Sequence, residues 1–260
     1  MNNYKEMITK HITFYFLEHR IHFLDTIIET AESYPQTTDI FIHTNERDLT
    51  AGRFRPYTNG RLMIVWHDLT GCDPYRLTWK CRDLLSRQKD DYDIFMYIED
   101  DILVPREAIE YWIQYNEETL KHNYNLGFFR IEKDENGKEF IVDLHACRID
   151  KRLVLDDVQY ALNDKQSYCA FWIYNKTEFH RFLESGYFYN LETIRGYNTR
   201  EKSAIGLHGL ETPFYRGTII PIVEGGGFHK GCRIYHLPNN YIMNKDNWFS
   251  TIPFDDAFAC

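Results

Sequence analysis

Residues 95–105 read Phe-Met-Tyr-Ile-Glu-Asp-Asp-Ile-Leu-Val-Pro, which sets Glu99, Asp100 and Asp101 side by side between two apolar runs. Three adjacent carboxylates repel one another, and partial burial raises the cost of their charge further. A hard divalent cation removes both penalties. Mg²⁺ or Mn²⁺ takes oxygen ligands, a few from protein and the rest from water and phosphate. The trio with such a cation is therefore a seat for a diphosphate. The bland alternative is a solvated acidic turn. Against it, Ile102, Leu103 and Val104 resume the apolar run at once, and an idle charge cluster tethered to a core is expensive.

A strand must deliver the trio. Residues 93–98 are apolar and β-prone and form the fourth predicted strand, after 12–17, 39–45 and 61–69. Between them, the helical spacing of Leu24, Ile27, Ile28 and Ala31 predicts a helix stopped by Pro35. Leu77, Cys81, Leu84 and Leu85 predict another, with Pro74 near its start. Ile109, Trp112, Ile113 and Leu120 define one face of a third over 106–122. The order β-α-β-β-α-β-α predicts an α/β fold, a mainly parallel sheet with helices on both faces. Ligands of such sheets bind outside the carboxyl ends of the strands, where the trio falls.

The second half is less regular. Asp134-Glu135-Asn136-Gly137 predicts a hairpin turn, residues 168–175 a strand, and 176–186 a helix ending at Gly186. Asn175-Lys176-Thr177 is a formal glycosylation sequon that reads instead as a turn before that helix. Residues 195–203 read as a polar loop, and 225–241 as loop with one short strand. No repeat or low-complexity linker divides the chain, so it reads as one domain over 1–260.

Composition sets limits. The net charge is -9, from 39 acidic and 30 basic residues, without the concentrated basic face that a nucleic acid requires. The six cysteines form no C-x-x-C pair, which suits free thiols in a reducing compartment. No apolar run is long enough for a signal peptide or a membrane span, so a soluble, cytoplasmic protein is expected. The absence of G-x-G-x-x-G and of a P-loop speaks against dehydrogenases and NTPases.

Tyr97-Ile98-Glu99-Asp100-Asp101-Ile102 after a strand, preceded by strand–helix–strand units and followed by a long irregular half, resembles the metal site of GT-A glycosyltransferases. In that superfamily the motif is D-x-D or a variant of it. The resemblance implies a GT-A-like, Rossmann-like fold, with a nucleotide-sugar-binding half over about 1–122 and an acceptor-binding half over about 123–260. It makes Asp101 the metal ligand, with Glu99 nearer the ribose or on the metal and Asp100 helping with metal or sugar. Glu in the first position departs from the commonest form. The superfamily commonly adds a late histidine as a further ligand. His236 is expected in that role over His229, because it follows the strand-like Cys232–Tyr235. Lys230 and Arg233 are placed to meet the diphosphate.

An inverting transfer needs a general base for the acceptor hydroxyl. Glu211 is the candidate, with Asp150, Asp156 and Asp157 as rivals. Donor contacts are expected from the first strand ends, at Glu18, His19, Arg20, Thr44 and Asn45. Arg76, Trp79 and Arg82 form a slanting stripe on the second helix and face the donor or, as is commoner, solvent. Trp172 and Tyr197 are acceptor candidates, set against ordinary core packing. The expected activity is metal-dependent transfer of a sugar from a nucleotide-diphosphate donor, UDP favoured over GDP, to a hydroxyl of a glycan or small acceptor. Inversion is favoured, with Mn²⁺ or Mg²⁺ as cofactor. The alternatives are a metal-dependent phosphohydrolase or nucleotidyltransferase, and a non-catalytic carbohydrate-binding protein.

Overall fold

The computed structural model describes residues 6–145, 147–209, 212, 214–244, 246 and 248–258. The chain begins with β1 (Met7–Phe14), α1 (Ile21–Ala31), β2 (Thr37–Thr44) and β3 (Leu62–Trp66). Two short helices, α2 (Leu77–Lys80) and α3 (Arg82–Arg87), lead to β4 (Ile94–Glu99), β5 (Ile102–Leu103) and α4 (Arg106–Lys121). Then come β6 (Asn125–Leu126), β7 (Phe129–Lys133), β8 (Glu139–Ile141), β9 (Lys151–Leu155) and β10 (Val158–Asn163). β11 (Phe171–Asn175) precedes α5 (Lys176–Glu184) and α6 (Thr199–Ile205). The chain continues through β12 (Thr218–Pro221), β13 (Arg233–His236), α7 (Asn240–Met243) and β14 (Ile252–Pro253).

The protein is mixed α/β and divides into two compact units, one of Met1–Ile102 with Ala170–Gly206, the other of Leu103–Cys169 with Leu207–Cys260. This partition differs from a division near residue 122, because β11, α5 and α6 return to the first unit.

In the first unit the strand order is β3-β2-β1-β4-β11. β1 pairs in parallel with β2 and β4, β2 in parallel with β3, and β11 lies antiparallel on β4. Successive side chains of a strand point to opposite faces, and β1 shows what covers each. Lys10 Nζ reaches Tyr34, just beyond α1, at 3.0 Å. Its neighbour His11 reaches Gln88, the C-cap of α3, at 2.9 Å. Helical segments therefore cover both faces. Leu24, Ile27, Ile28 and Ala31 are all buried, as their spacing predicts.

β1 starts five residues before the predicted strand at 12–17, at Met7. Thr9, Lys10 and His11 are fully buried but polar, so they hide the strand from a hydropathy reading. Asn175 caps α5 through a capping box with Glu178, which bears out the turn-before-helix reading of the sequon.

The second unit holds a sheet in the order β6-β12-β10-β9 and another in which β14, β8, β7 and β13 are consecutive neighbours. The predicted hairpin turn is there, with the Gly137 N–H donating to the Asp134 carbonyl at 3.0 Å. The expected face of α4 needs correcting. Ile113 is exposed, and the buried face carries Ala108, Ile109, Tyr111, Trp112, Asn116 and Thr119. A second hairpin, β9–β10, turns on Asp156 and Asp157, whose φ values are 42° and 67°. Positive φ at both central residues is the geometry of a type I′ turn.

Candidate functional site

β1 has β2 on one side and β4 on the other, so the strand order reverses there. Crevices of this kind are where open α/β sheets take ligands. A cavity of about 490 Å³ opens at that point, lined by Thr13, Tyr15 and Arg20 from the end of β1 and by Glu99 and Asp100 from the end of β4. Asp73, Tyr75 and Thr78 line it from the turn into α2, and Arg200 from α6.

The carboxylate trio sits here and is largely buried, with Glu99 at 2% exposure, Asp100 at 9% and Asp101 at 4%. Arg20 and Arg200 both pair with it. Arg20 donates from Nε to Asp100 Oδ2 at 2.8 Å and from Nη2 to Asp101 Oδ2 at 2.7 Å. Arg200 Nε lies 3.3 Å from Glu99 Oε2. Burial, then the adjacent Asp101, push the Asp100 carboxyl up to about 7 against the pull of Arg20.

The donor set is all carboxylate oxygen, the ligand type that Mg²⁺ and Mn²⁺ take. Asp100 and Asp101 both pair with Arg20. Among the described residues, the only three groups that bring metal-binding atoms within 4.8 Å of one another are Glu118, His122 and Asp156, on and beside the end of α4. That cluster is part-exposed and already held together by a 2.7 Å His122–Asp156 ion pair.

Arg200 has no counterpart in the sequence reading, which takes residues 195–203 as loop. The segment 199–205 is instead α6, capped by Asn198 through a capping box with Glu201. The Asn198-x-x-Glu201 spacing is the signal that identifies it. Aromatic and cationic side chains tie this short helix down. Trp79 Nε1 donates to the Thr199 carbonyl at 2.8 Å, and Trp172 Nε1 and Arg82 Nη2 both donate to the Ser203 carbonyl, at 3.1 and 3.0 Å. Tyr97 Oη bonds Ser203 Oγ at 2.7 Å. Gly206 closes α6 with φ at 56°, and a Cβ there would collide with Tyr174 Oη.

Several residues considered for donor or acceptor contacts thus hold the scaffold. Arg82 is buried against Trp79, Phe182 and Phe188 and also donates to the Phe188 carbonyl at 2.6 Å. Burial lowers its guanidinium to about 10. Trp172 is a core residue stacked on Tyr97 and Tyr174. Asn45 accepts from the Phe16 N–H at 2.8 Å and so joins the loops after β1 and β2. Glu18 pairs with Arg53 at 3.0 Å, while His19 and Arg76 are exposed. Tyr197 is half-buried, immediately before the α6 cap.

The remaining candidates belong to the second unit. His236 is buried, and its Nδ1 lies 2.6 Å from Glu132 Oε1. Burial would raise the Glu132 carboxyl, but the hydrogen bonds from His236, the Ile242 N–H and Ser250 outweigh it and hold it low. A carboxylate on one ring nitrogen fixes the tautomer and orients the other nitrogen, the usual arrangement behind histidine ligands. His229 Nδ1 accepts from the Gly231 N–H, and its ring stacks on Tyr111. Arg233 pairs with Glu139 at 2.6 Å, and Lys230 is exposed. Asp156 and Asp157 form the β9–β10 turn, and Asp150 lies 3.4 Å from Lys165 Nζ. Glu211 lies outside the described residues. Among those residues no helix is long and apolar enough to cross a membrane. No protein-family model matches the chain, and no curated protein matches it.

Proposed function

We propose that the chain is a GT-A-like, metal-dependent glycosyltransferase whose nucleotide-diphosphate sugar occupies the cavity at the carboxyl ends of β1 and β4. One observation carries this reading. Three adjacent carboxylates, paired with Arg20 and Arg200, sit where the strand order reverses, and two of them, Glu99 and Asp100, line a cavity of about 490 Å³. The volume lies within the range of small-molecule sites, about 300–1,000 Å³. The exposed rings of Tyr15 and Tyr75 in its wall suit a nucleobase, and Thr13 and Thr78 suit ribose or phosphate oxygens.

Asp101 and Asp100 would hold Mn²⁺ or Mg²⁺, with Glu99 close by. The ion would neutralise charge developing on the leaving diphosphate. Arg20 and Arg200 line the same cavity and add positive charge to it. Glu211 takes the role of base toward the acceptor hydroxyl, and the acceptor is a glycan or a small hydroxyl compound.

The test is a thermal-shift and calorimetric panel of UDP, GDP and their sugars, with and without Mn²⁺. A ligand at about 100 times its Kd adds roughly 2.7 kcal/mol of stability. A metal-dependent shift with a nucleoside diphosphate is expected, lost in Asp101→Asn. Product analysis separates the rivals, because a phosphohydrolase or nucleotidyltransferase releases phosphate or nucleoside monophosphate without a new glycoside. Equal behaviour of wild type and Asp101→Asn across the whole panel would sink the reading.

A further inference from the structure

Within the second unit, the end of α4 meets the β9–β10 turn. Glu118 lies in the last turn of α4 and His122 is its C-cap, so the two share a face at i, i+4 spacing. Asp156 comes to them from the turn. The metal-binding atoms of the three lie within 4.8 Å of one another. His122 Nε2 has Asp156 Oδ2 at 2.7 Å and Glu118 Oε1 at 3.7 Å. One N–H cannot serve both carboxylates well. A metal ion in its place would serve both, since ligands at about 2.1 Å from a tetrahedral ion stand ~3.4 Å apart. The C-terminal end of a helix also favours positive charge. Lys121 holds the other Glu118 oxygen, Oε2, at 2.8 Å, which leaves Oε1 turned to the imidazole.

A separate observation points to a ligand here. Tyr160 on β10 is fully buried with Tyr124 and Ile219, and among the described residues its hydroxyl has no hydrogen-bond partner. An orphaned buried hydroxyl marks a place for a water or an ion. Burial, then the charges of Glu118, Tyr115 and Asp156, push this hydroxyl up to about 12. Two of those three neighbours are the carboxylates of the triad, so the hydroxyl faces it.

We infer that Glu118, His122 and Asp156 form a Zn²⁺ site that clips the end of α4 to the β9–β10 turn, with a metal-bound water that pairs with the Tyr160 hydroxyl. Imidazole with carboxylate suits Zn²⁺, and three protein ligands with a water in the fourth position is an established coordination for it. The ion takes Nε2 of His122, the atom that both carboxylates already approach. The site shares no residue with the lining of the cavity and does not rest on the proposed transfer.

The test titrates the chelator-treated full chain with Zn²⁺ by calorimetry and with Co²⁺ by visible absorption. Wild type should show the absorption of a tetrahedral Co²⁺ centre and should melt higher with Zn²⁺. His122→Gln and Asp156→Asn should each weaken binding by more than about tenfold, and Asn keeps the positive φ that the turn requires. Tyr160→Phe distinguishes a metal site from an idle ion pair. Without metal it should melt no lower than wild type, because it removes a hydroxyl that lacks a partner. It should nonetheless bind Zn²⁺ about tenfold more weakly, the usual effect of losing a group behind the ligands. The tetrahedral Co²⁺ absorption should persist in Asp101→Asn, which keeps this test apart from that of the cavity. Binding as tight in His122→Gln and Asp156→Asn as in wild type belongs to other groups, such as the exposed thiols of Cys72 and Cys147, and overturns the site. Absence of binding by wild type overturns it as well, and Tyr160→Phe with wild-type affinity overturns the assigned water.

Discussion

Lys10 is fully buried, and its amine is lowered to about 7 by desolvation. Its Nζ has Tyr34 Oη at 3.0 Å and the Tyr34 ring centroid at 5.0 Å. The folded pKa lies below the unfolded value near 10.4. Between the two, the unfolded chain binds more protons than the native one, so stability rises with pH across that window. Replacing a buried ionisable group by an apolar one of similar volume is often stabilising by about 1–4 kcal/mol. Lys10→Met should therefore raise the urea midpoint at about pH 7 and flatten its rise toward about pH 10. A lower midpoint at both pH values would show instead that the contact with Tyr34 outweighs the desolvation. The trio itself was legible as a charge problem, but its guanidinium partners were only half so. Arg20 stands just past a predicted strand end, whereas Arg200 lies about 100 residues beyond the trio in a segment without apolar periodicity.

At the scale of elements, three imidazoles run across β1, β2 and the end of β3. His11 Nδ1 lies 2.8 Å from His43 Nε2, and His43 Nδ1 lies 2.8 Å from His67 Nε2. Gln88 and Thr9 close the row beyond His11. Burial lowers His11 to about 3 and His67 to about 4, the latter helped by Lys80 and opposed by Asp83. Burial and the two flanking rings hold His43 well below the usual range. The native rings are therefore neutral. Below the unfolded value near 6.5 the unfolded chain takes up protons that the fold refuses, so stability falls as pH drops from there toward about 4. Urea titrations across that window should show this slope, and His67→Gln should reduce it by about one proton. A flat wild-type midpoint there would mean the rings are not held neutral.

Polar residues also set what could be read of the elements. β4 and the buried face of α1 follow apolar periodicity and are plain in the sequence. The first half of β1 is not, because its buried polar groups satisfy one another. α6 is missed for a related reason. Only Ser203, Ala204 and Ile205 of it are buried, and its start is marked by a cap rather than a stripe. Asn198→Ala should cost ~1 kcal/mol, the usual value of such a cap. It should also weaken nucleotide binding through Arg200, to a degree a titration calorimeter can measure. Full binding by a variant that is less stable would detach Arg200 from the site.

For the whole molecule, the sequence division at residue 122 fails to anticipate that β11 returns to pair with β4. The signal for such a return is long-range strand pairing, which no local window contains. A fragment of residues 1–122 keeps β1 to β4 but lacks the antiparallel neighbour of β4, the Trp172 and Phe179 rings, and Arg200. Tyr97 would lose the stacked Trp172, and Phe95 the stacked Phe179. Such a fragment should show poor amide dispersion by NMR and an uncooperative melt. A cooperative, well-dispersed fragment would show that the four parallel strands suffice.

The interleaving of the two units has a consequence for how the protein is made. The ribosome delivers Glu99, the end of β4, long before Asn175, the end of β11, and at about 5–20 residues per second the gap lasts roughly 4–15 s. Through that interval the nascent β4 edge, flanked by some of the most apolar side chains in the chain, waits for the strand that will cover it. Holding that edge harmless falls to chaperones or to slow, late folding, so synthesis rate and chaperone supply should govern the yield of this protein in a host.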